Sequence, residues 1–419
     1  MLTVTYHLTK GASYIRKASL NISILCNNDS YNYKLPVRLY AHEWNRKLGE
    51  PSNIYLKRFK ELNLKLIRLK IKLYEEIDRR IQKKEETITW AWLKKYIQDF
   101  FDEETYFTDD PDTLEYWMNL YMQEKQIRVK HNTFKRYKVF KHLVLRFEGY
   151  RKRKIRLSRL SQSLITEFEQ YIKRENYQSS TAHRTLVFIR TILLFAKKRE
   201  VDFRMHHIEW TLERENIDQK ITLTHKELQS IEKRRLTTQL EQVRDWLLIS
   251  CYTGQRVSDF MRFTRRNIRQ VDDEKYLDFV QQKTGKRVLL PIHPVIEQII
   301  EKYSGGFPQP LPELDYNKQL KRLGKIMGLN QPVSSRKRVK HRAKEGEYRK
   351  WELLSSHIGR RSFATNFYGR IPTALLIAAT GHSSEKMFLR YINQFDTQKT
   401  RLLDGYFRDV KWEEKRVQQ

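Results

Sequence analysis

Gly381-His382-Ser383-Ser384-Glu385-Lys386-Met387-Phe388-Leu389-Arg390-Tyr391-Ile392 reads as one helix stopping and another starting. Glycine enters left-handed backbone without a Cβ clash, so it ends helices, and Ser383 or Ser384 then offers an oxygen to the N–H groups of the next helix. Tyr391 follows His382 by nine residues on that second helix. Upstream, His357-Ile358-Gly359-Arg360-Arg361 sets a His and an Arg on one helix face at i and i+3, with Ser355-Ser356 placed to cap it. From Ser356 onward the pattern is helical, broken at Pro372 and Gly381.

Further back, Thr253-Gly254-Gln255-Arg256-Val257-Ser258-Asp259 puts an Arg at a helix start, one turn before an acid. Between these elements, Tyr276 to Ile292 reads as a short antiparallel sheet turning at Lys283-Thr284-Gly285. Thr224-His225-Lys226-Glu227 has the form of a capping box, opening a helix with Leu228 and Ile231 inward. A helix through Trp246 and Ile249 follows. Each motif alone is commonplace: an arginine at a cap, a lysine beside a glycine turn, one of 23 tyrosines.

Two blocks precede this one. Ser19 to Leu25 alternates at period two, Asn27 to Ser30 supplies a turn, and Tyr31 to Val37 is the expected return strand. Leu62, Leu66, Leu69, Leu73 and Ile77 then recur at three and four residues, so residues 1–104 read as a small sheet packed by one long helix. Asp109 to Asp112 breaks the chain. Four helices are expected up to residue 208, marked by Tyr116–Tyr121, Phe134–Phe147, Leu164–Ile172 and Leu186–Phe195. Breaks near Asp109–Asp112 and Ile208–Gln219 are expected to be flexible hinges.

The whole chain carries 82 Lys+Arg against 50 Asp+Glu, a formal charge of +32. Such a charge repels itself in a compact chain unless a polyanion neutralises it. From residue 113 to 208 there are 22 Lys+Arg against 8 Asp+Glu, which favours phosphate contacts by this helical block. No stretch of about 18 apolar residues would span a bilayer, and Met1 to Lys17 lacks the apolar core of a secretory signal. Cys26 and Cys251 are too few for a disulfide framework and wrongly spaced for a zinc site. Nucleic acid is the expected partner, without membrane, metal or cofactor, in a reducing cytoplasm and associated with the nucleoid.

Taken together, the order and spacing of Arg256, Lys283, His357, Arg360, His382 and Tyr391 resemble the active-site set of the tyrosine recombinases, the phage integrase family. The likeness rests on TGQRVSD, HIGRRSFAT and GHSSEKMFLRYI and covers residues from about 221 to 407. Within that family it resembles the integrases of conjugative transposons of the Bacteroides type. A departure is the long basic insert from Ser335 to Lys350. The resemblance implies a multidomain, mainly α chain with small β-sheets. Its parts would be an α+β arm-type DNA-binding domain at 1–104, a helical SAM-like core-binding domain at 105–208, and a mixed α/β catalytic domain at 220–419 of the kind shared with type IB topoisomerases.

It also implies a site-specific recombinase that cuts and rejoins double-stranded DNA through a 3′-phosphotyrosine at Tyr391. A guanidinium binds two phosphate oxygens without titrating, which suits Arg256 and Arg360 to the charge spread over a pentavalent phosphorane. By resemblance His357 is the general base, Lys283 the general acid on the departing 5′ oxygen, and His382 a hydrogen-bond partner of a phosphate oxygen. Asp259 supports the site. A homotetramer on synapsed DNA and an accessory DNA-bending protein are the family's partners, with the tail Phe407–Gln419 as the segment donated between protomers. A DNA invertase or Xer-like resolvase shares the chemistry, and a non-catalytic DNA-binding protein on the same scaffold is the reading from another class.

Overall fold

A computed structural model describes residues 2–9, 11–26, 29–54, 56–83, 88–102, 110–205, 207–210, 220–339 and 342–392. The expected donated tail lies outside the described residues. The chain divides into two compact units, residues 1–215 with 338–343, and 216–337 with 344–419. None of the described helices is long and apolar enough to cross a membrane.

The first unit opens with three antiparallel strands in spatial order, β1 (Thr3–Leu8), β2 (Ala18–Cys26) and β3 (Asp29–Leu39). Ile22 faces Tyr33 and Ile24 faces Tyr31 across β2 and β3. The period-two face of β2, Leu20, Ile22, Ile24 and Cys26, is buried. Two short strands, β4 (Trp44–Asn45) and β5 (Glu50–Pro51), lead into α1 (Lys57–Lys83), whose Leu66, Leu69, Leu73 and Ile77 close over the sheet. A second helix joins this core, α2 (Trp90–Asp102), through Leu93, Ile97 and Phe100. The sequence reading anticipated one helix here.

The four expected helices follow as α3 (Leu114–Lys125), α4 (His131–Arg151), α5 (Gln162–Arg174) and α6 (Ser179–Lys197), around a core rich in aromatic rings. Of the expected hinge at Asp109–Asp112, Asp109 lies outside the described residues, while Asp110 and Asp112 are tied to the helical block: Arg156 pairs with them at 3.0 and 3.5 Å, and Ser158 donates its backbone N–H and hydroxyl to Asp112. Helix α1 also packs on α4, and its Arg68 pairs with the buried Glu115 of α3. The sheet-bearing block and the helical block thus share one unit.

The second unit begins at α7 (His225–Lys233), whose capping box is formed by Thr224 and Glu227 as its spelling requires. Its core is built on α8 (Thr238–Thr253). There Trp246 is fully buried and donates its indole N–H to the Gln309 carbonyl at 2.9 Å. After the short helix α9 (Val257–Phe260) come three antiparallel strands in sequential order, β6 (Ile268–Val271), β7 (Glu274–Val280) and β8 (Arg287–Pro291). Helices α10 (Pro294–Lys302) and α11 (Glu313–Ile326) cover α8. The basic insert forms a hairpin of β9 (Pro332–Val339) and β10 (Arg342–Arg349). The chain then runs through α12 (Ile358–Phe367), α13 (Thr373–Thr380) and α14 (Glu385–Leu389), broken where Pro372 and Gly381 stand.

Candidate active site

Helix α12 lies against α8 because position 359 is glycine. A Cβ there would fall inside the Ser250 side chain, so any larger residue pushes the two helices apart. One residue on, Arg360 is carried into the interior and is 0% exposed. Its Nη1 donates to the Gly254 carbonyl and its Nη2 to the Thr380 carbonyl, both at 2.8 Å. No carboxylate is bonded to it among the described residues, and its Nε is buried without a hydrogen-bond partner. Burial first, and then repulsion from Arg256, pull its proton affinity down to about 10 despite the nearby Tyr391 and Asp259.

His382 stacks into the same place. Thr380 Oγ1 donates to the Leu376 carbonyl at 2.6 Å, so at 2.7 Å it accepts a proton from His382 Nδ1. That tautomer leaves Nε2 to accept from Arg360 Nη2 at 3.0 Å. Burial, Arg360, Arg256 and Lys286 together push the His382 pKa to about 3, so the ring is neutral at pH 7. Tyr391 completes the group: its ring centroid lies 4.9 Å from that of His382 and 5.3 Å from the Arg360 guanidinium carbon. Helix α14 delivers it, capped by Ser384, which accepts from the Met387 N–H.

Residues 113–206 match the family described as the phage integrase SAM-like domain. Two solved structures share the fold. One is a lambda integrase fragment crystallised as a dimer on a COC′ core site, with a TM-score of 0.50 and 20% identity over 67% of this chain and 95% of that one. The other is the XerH site-specific recombinase bound to a palindromic difH substrate, with a TM-score of 0.50 and 14% identity over 72% and 99%. No curated protein matches the chain. The chain shares the fold of these two recombinase structures.

In this integrase fold the expected residues fall into two groups. Arg360, His382 and Tyr391 are in mutual contact. Arg256 caps α9 beside them, half-buried, and donates to Gln281 Oε1 at 3.3 Å. Lys283 and His357 stand apart. Lys283 is exposed at the tip of the β7–β8 hairpin, and its amine makes no hydrogen bond or ion pair among the described residues. His357 caps α12 with its ring open to solvent, yet its surroundings are dense enough to disfavour the imidazolium. Burial and then Arg361 lower its pKa, and Arg360 and Arg256 add to the effect against Glu313, which leaves the ring free to accept a proton.

Asp259 is 1% exposed and accepts the Gln282 backbone N–H at 2.8 Å, fastening the base of the hairpin that carries Lys283. Ser356, expected to cap α12, instead donates its N–H to Asn317 and its hydroxyl to Glu313 on α11. Two participants had no sequence signal beyond their place beside a motif. Gln255 and Gln281 are both 0% exposed and pair through Gln281 Nε2 and Gln255 Oε1 at 3.0 Å.

Proposed function

We propose that this chain is a site-specific DNA recombinase, an integrase that cleaves and rejoins double-stranded DNA through a 3′-phosphotyrosine. The observation that carries the reading is a tyrosine packed against a buried guanidinium that no carboxylate binds among the described residues. A phosphodiester supplies the missing negative charge. In the assigned reaction the Tyr391 oxygen bonds to phosphorus as the bond from phosphorus to the 5′ oxygen breaks. The phenolic proton passes to neutral His357, and Lys283 gives a proton to the departing 5′ oxygen.

Arg256 and Arg360 stabilise the phosphorane, and His382, expected to hydrogen-bond a phosphate oxygen, is here engaged by Arg360 and Thr380 and holds that guanidinium in place. Asp259 supports the hairpin. Rejoining reverses these steps, so the phosphotyrosine conserves the bond without ATP. The reading assigns residues 1–104 to an arm-type DNA site, 105–208 to the core-binding domain and 220–419 to the catalytic domain. A homotetramer on two synapsed duplexes, acting in the cytoplasm on the nucleoid with an accessory bending protein, is the working assembly. The lambda integrase fragment and XerH, both captured on their DNA sites, support DNA as the partner.

A nicked duplex that loses the short fragment after cleavage traps the covalent intermediate. The wild-type protein should form a denaturation-resistant adduct at the 3′ phosphate, and Tyr391→Phe should bind the duplex but form none. An adduct that persists in Tyr391→Phe assigns the nucleophile to another residue and sinks the reading.

A further inference from the structure

The turn of the β7–β8 hairpin closes through Gln281 twice over. Its backbone N–H donates to the Lys286 carbonyl at 2.8 Å, and its carbonyl accepts from the Gly285 N–H at 2.9 Å. Its side chain does not follow the hairpin outward but enters the interior. Nε2 donates to Gln255 Oε1 and to the Thr380 carbonyl, both at 3.0 Å. Oε1 accepts from Thr284 Oγ1 at 2.8 Å and from Arg256 Nη1 at 3.3 Å. Gln255 in turn donates to the Ala379 carbonyl at 2.8 Å, so the amide pair is bonded into the end of α13. Position 381 has to be glycine for this: its φ is +67°, and a Cβ would overlap the Gln281 amide. The same Thr380 carbonyl accepts from Arg360.

A buried primary amide with its bonds made holds its neighbours in register, because displacing them leaves polar atoms unpaired. Lys283 needs such a reference point, since its own side chain has no anchor. We propose that Gln281 is a positioning residue that registers the hairpin tip, and with it Lys283, against Arg256 and the Thr380 carbonyl at the instant the 5′ oxygen departs. The inference rests on the recombinase reading and on Lys283 as the proton donor.

A leaving group that needs no proton separates this role from simple support. When sulfur replaces the bridging 5′ oxygen, the P–S bond breaks to release a thiolate, and the general acid becomes dispensable. Wild type and Lys283→Ala define the scale: Lys283→Ala should be slow on the ordinary nicked duplex and near wild type on the sulfur-bridged one. Failure of wild type to cleave either duplex overturns the recombinase reading itself, and this proposal with it. With that scale in place, Gln281→Met should bind DNA and melt close to wild type. It should cleave the ordinary duplex about thirtyfold more slowly, a large part of what general acid catalysis contributes, and recover to within about threefold on the sulfur-bridged one.

Equal slowing on both duplexes overturns the proposal and makes Gln281 a support of Arg256 or of the fold. Should Gln281→Met fail to fold, Thr284→Val removes the hydroxyl that donates to Gln281 Oε1 at 2.8 Å and accepts the Lys286 N–H at 3.5 Å, and a smaller defect with the same rescue is expected. No defect, or a defect without rescue, counts against the proposal.

Discussion

Arg146 in the first unit and Arg360 in the second are both largely withdrawn from water, and the two are handled in opposite ways. Arg146, on α4, lies between Glu50 and Glu175 at 3.6 and 3.7 Å and bonds the Tyr177 hydroxyl. Burial penalises its charge, but Tyr171, Tyr177 and the two carboxylates outweigh the penalty, and its proton affinity rises. Arg360 has two peptide carbonyls and a neutral histidine, and its proton affinity falls. An arginine that is countered inside the protein is finished and serves structure. An arginine bonded to dipoles, with no carboxylate bonded to it among the described residues, keeps its charge for an anion from outside, and its site is preorganised in a low dielectric.

This contrast breaks if the two positions respond alike. The largest effect is expected at Arg360→Met, which keeps the volume and removes the charge. Single-turnover cleavage should fall by about 10²–10³, the usual loss for one transition-state donor. Thermal unfolding should move little, because relief of an uncountered charge offsets two carbonyls left without this donor. A cleavage loss below about threefold removes Arg360 from the chemistry.

Arg146→Met should invert the pattern. Removing one partner of a buried pair costs about 3 kcal/mol. Chemical denaturation of the first unit should show that loss, while cleavage per DNA-bound molecule stays within about twofold. Unchanged stability would mean that Glu50 and Glu175 are adequately held by other groups, and the contrast between the units would disappear.

The smallest effect is in the pH dependence of stability. His382 is neutral in the folded chain down to about pH 3, whereas in the unfolded chain a histidine takes its proton near pH 6.5. Between those values the unfolded state binds one more proton, so stability falls as pH falls, by about 1.4 kcal/mol per unit at the steepest. His382→Gln should flatten the stability profile of the second unit by up to one proton across that window and leave it unchanged above pH 7. The same slope in both proteins would mean that His382 is charged in the fold.

Elements held by local periodicity were legible in the sequence. The alternation of β2, the leucine stripe of α1, the Thr224–Glu227 box and the glycine stop at 381 all appear where the spelling puts them. Helix α2 lies outside the one-helix reading of residues 1–104, although its buried Leu93, Ile97 and Phe100 have helical spacing. The insert from Ser335 to Lys350 has no apolar alternation to announce strands. Its hairpin relies on backbone pairing and on ion pairs such as Arg336–Glu345 at 2.5 Å and Lys337–Glu352 at 2.7 Å. In the site, residue types and spacings named Arg360, His382 and Tyr391. The amide pair of Gln255 and Gln281 was invisible, since it depends on partners up to 124 residues apart that only the fold brings together.

The entry of the chain into the second unit has a mechanical side. Leu223 is gripped by α12 at both of its backbone groups: its N–H donates to Ser362 Oγ at 2.8 Å, and its carbonyl accepts from Asn366 Nδ2 at 2.9 Å. Ser362 and Asn366 stand two and six residues beyond Arg360 on the same helix. Tension on the segment that precedes Leu223 is therefore passed in part to α12, through these two hydrogen bonds. The helix that seats the buried guanidinium is also one of the struts that holds the entry of the chain.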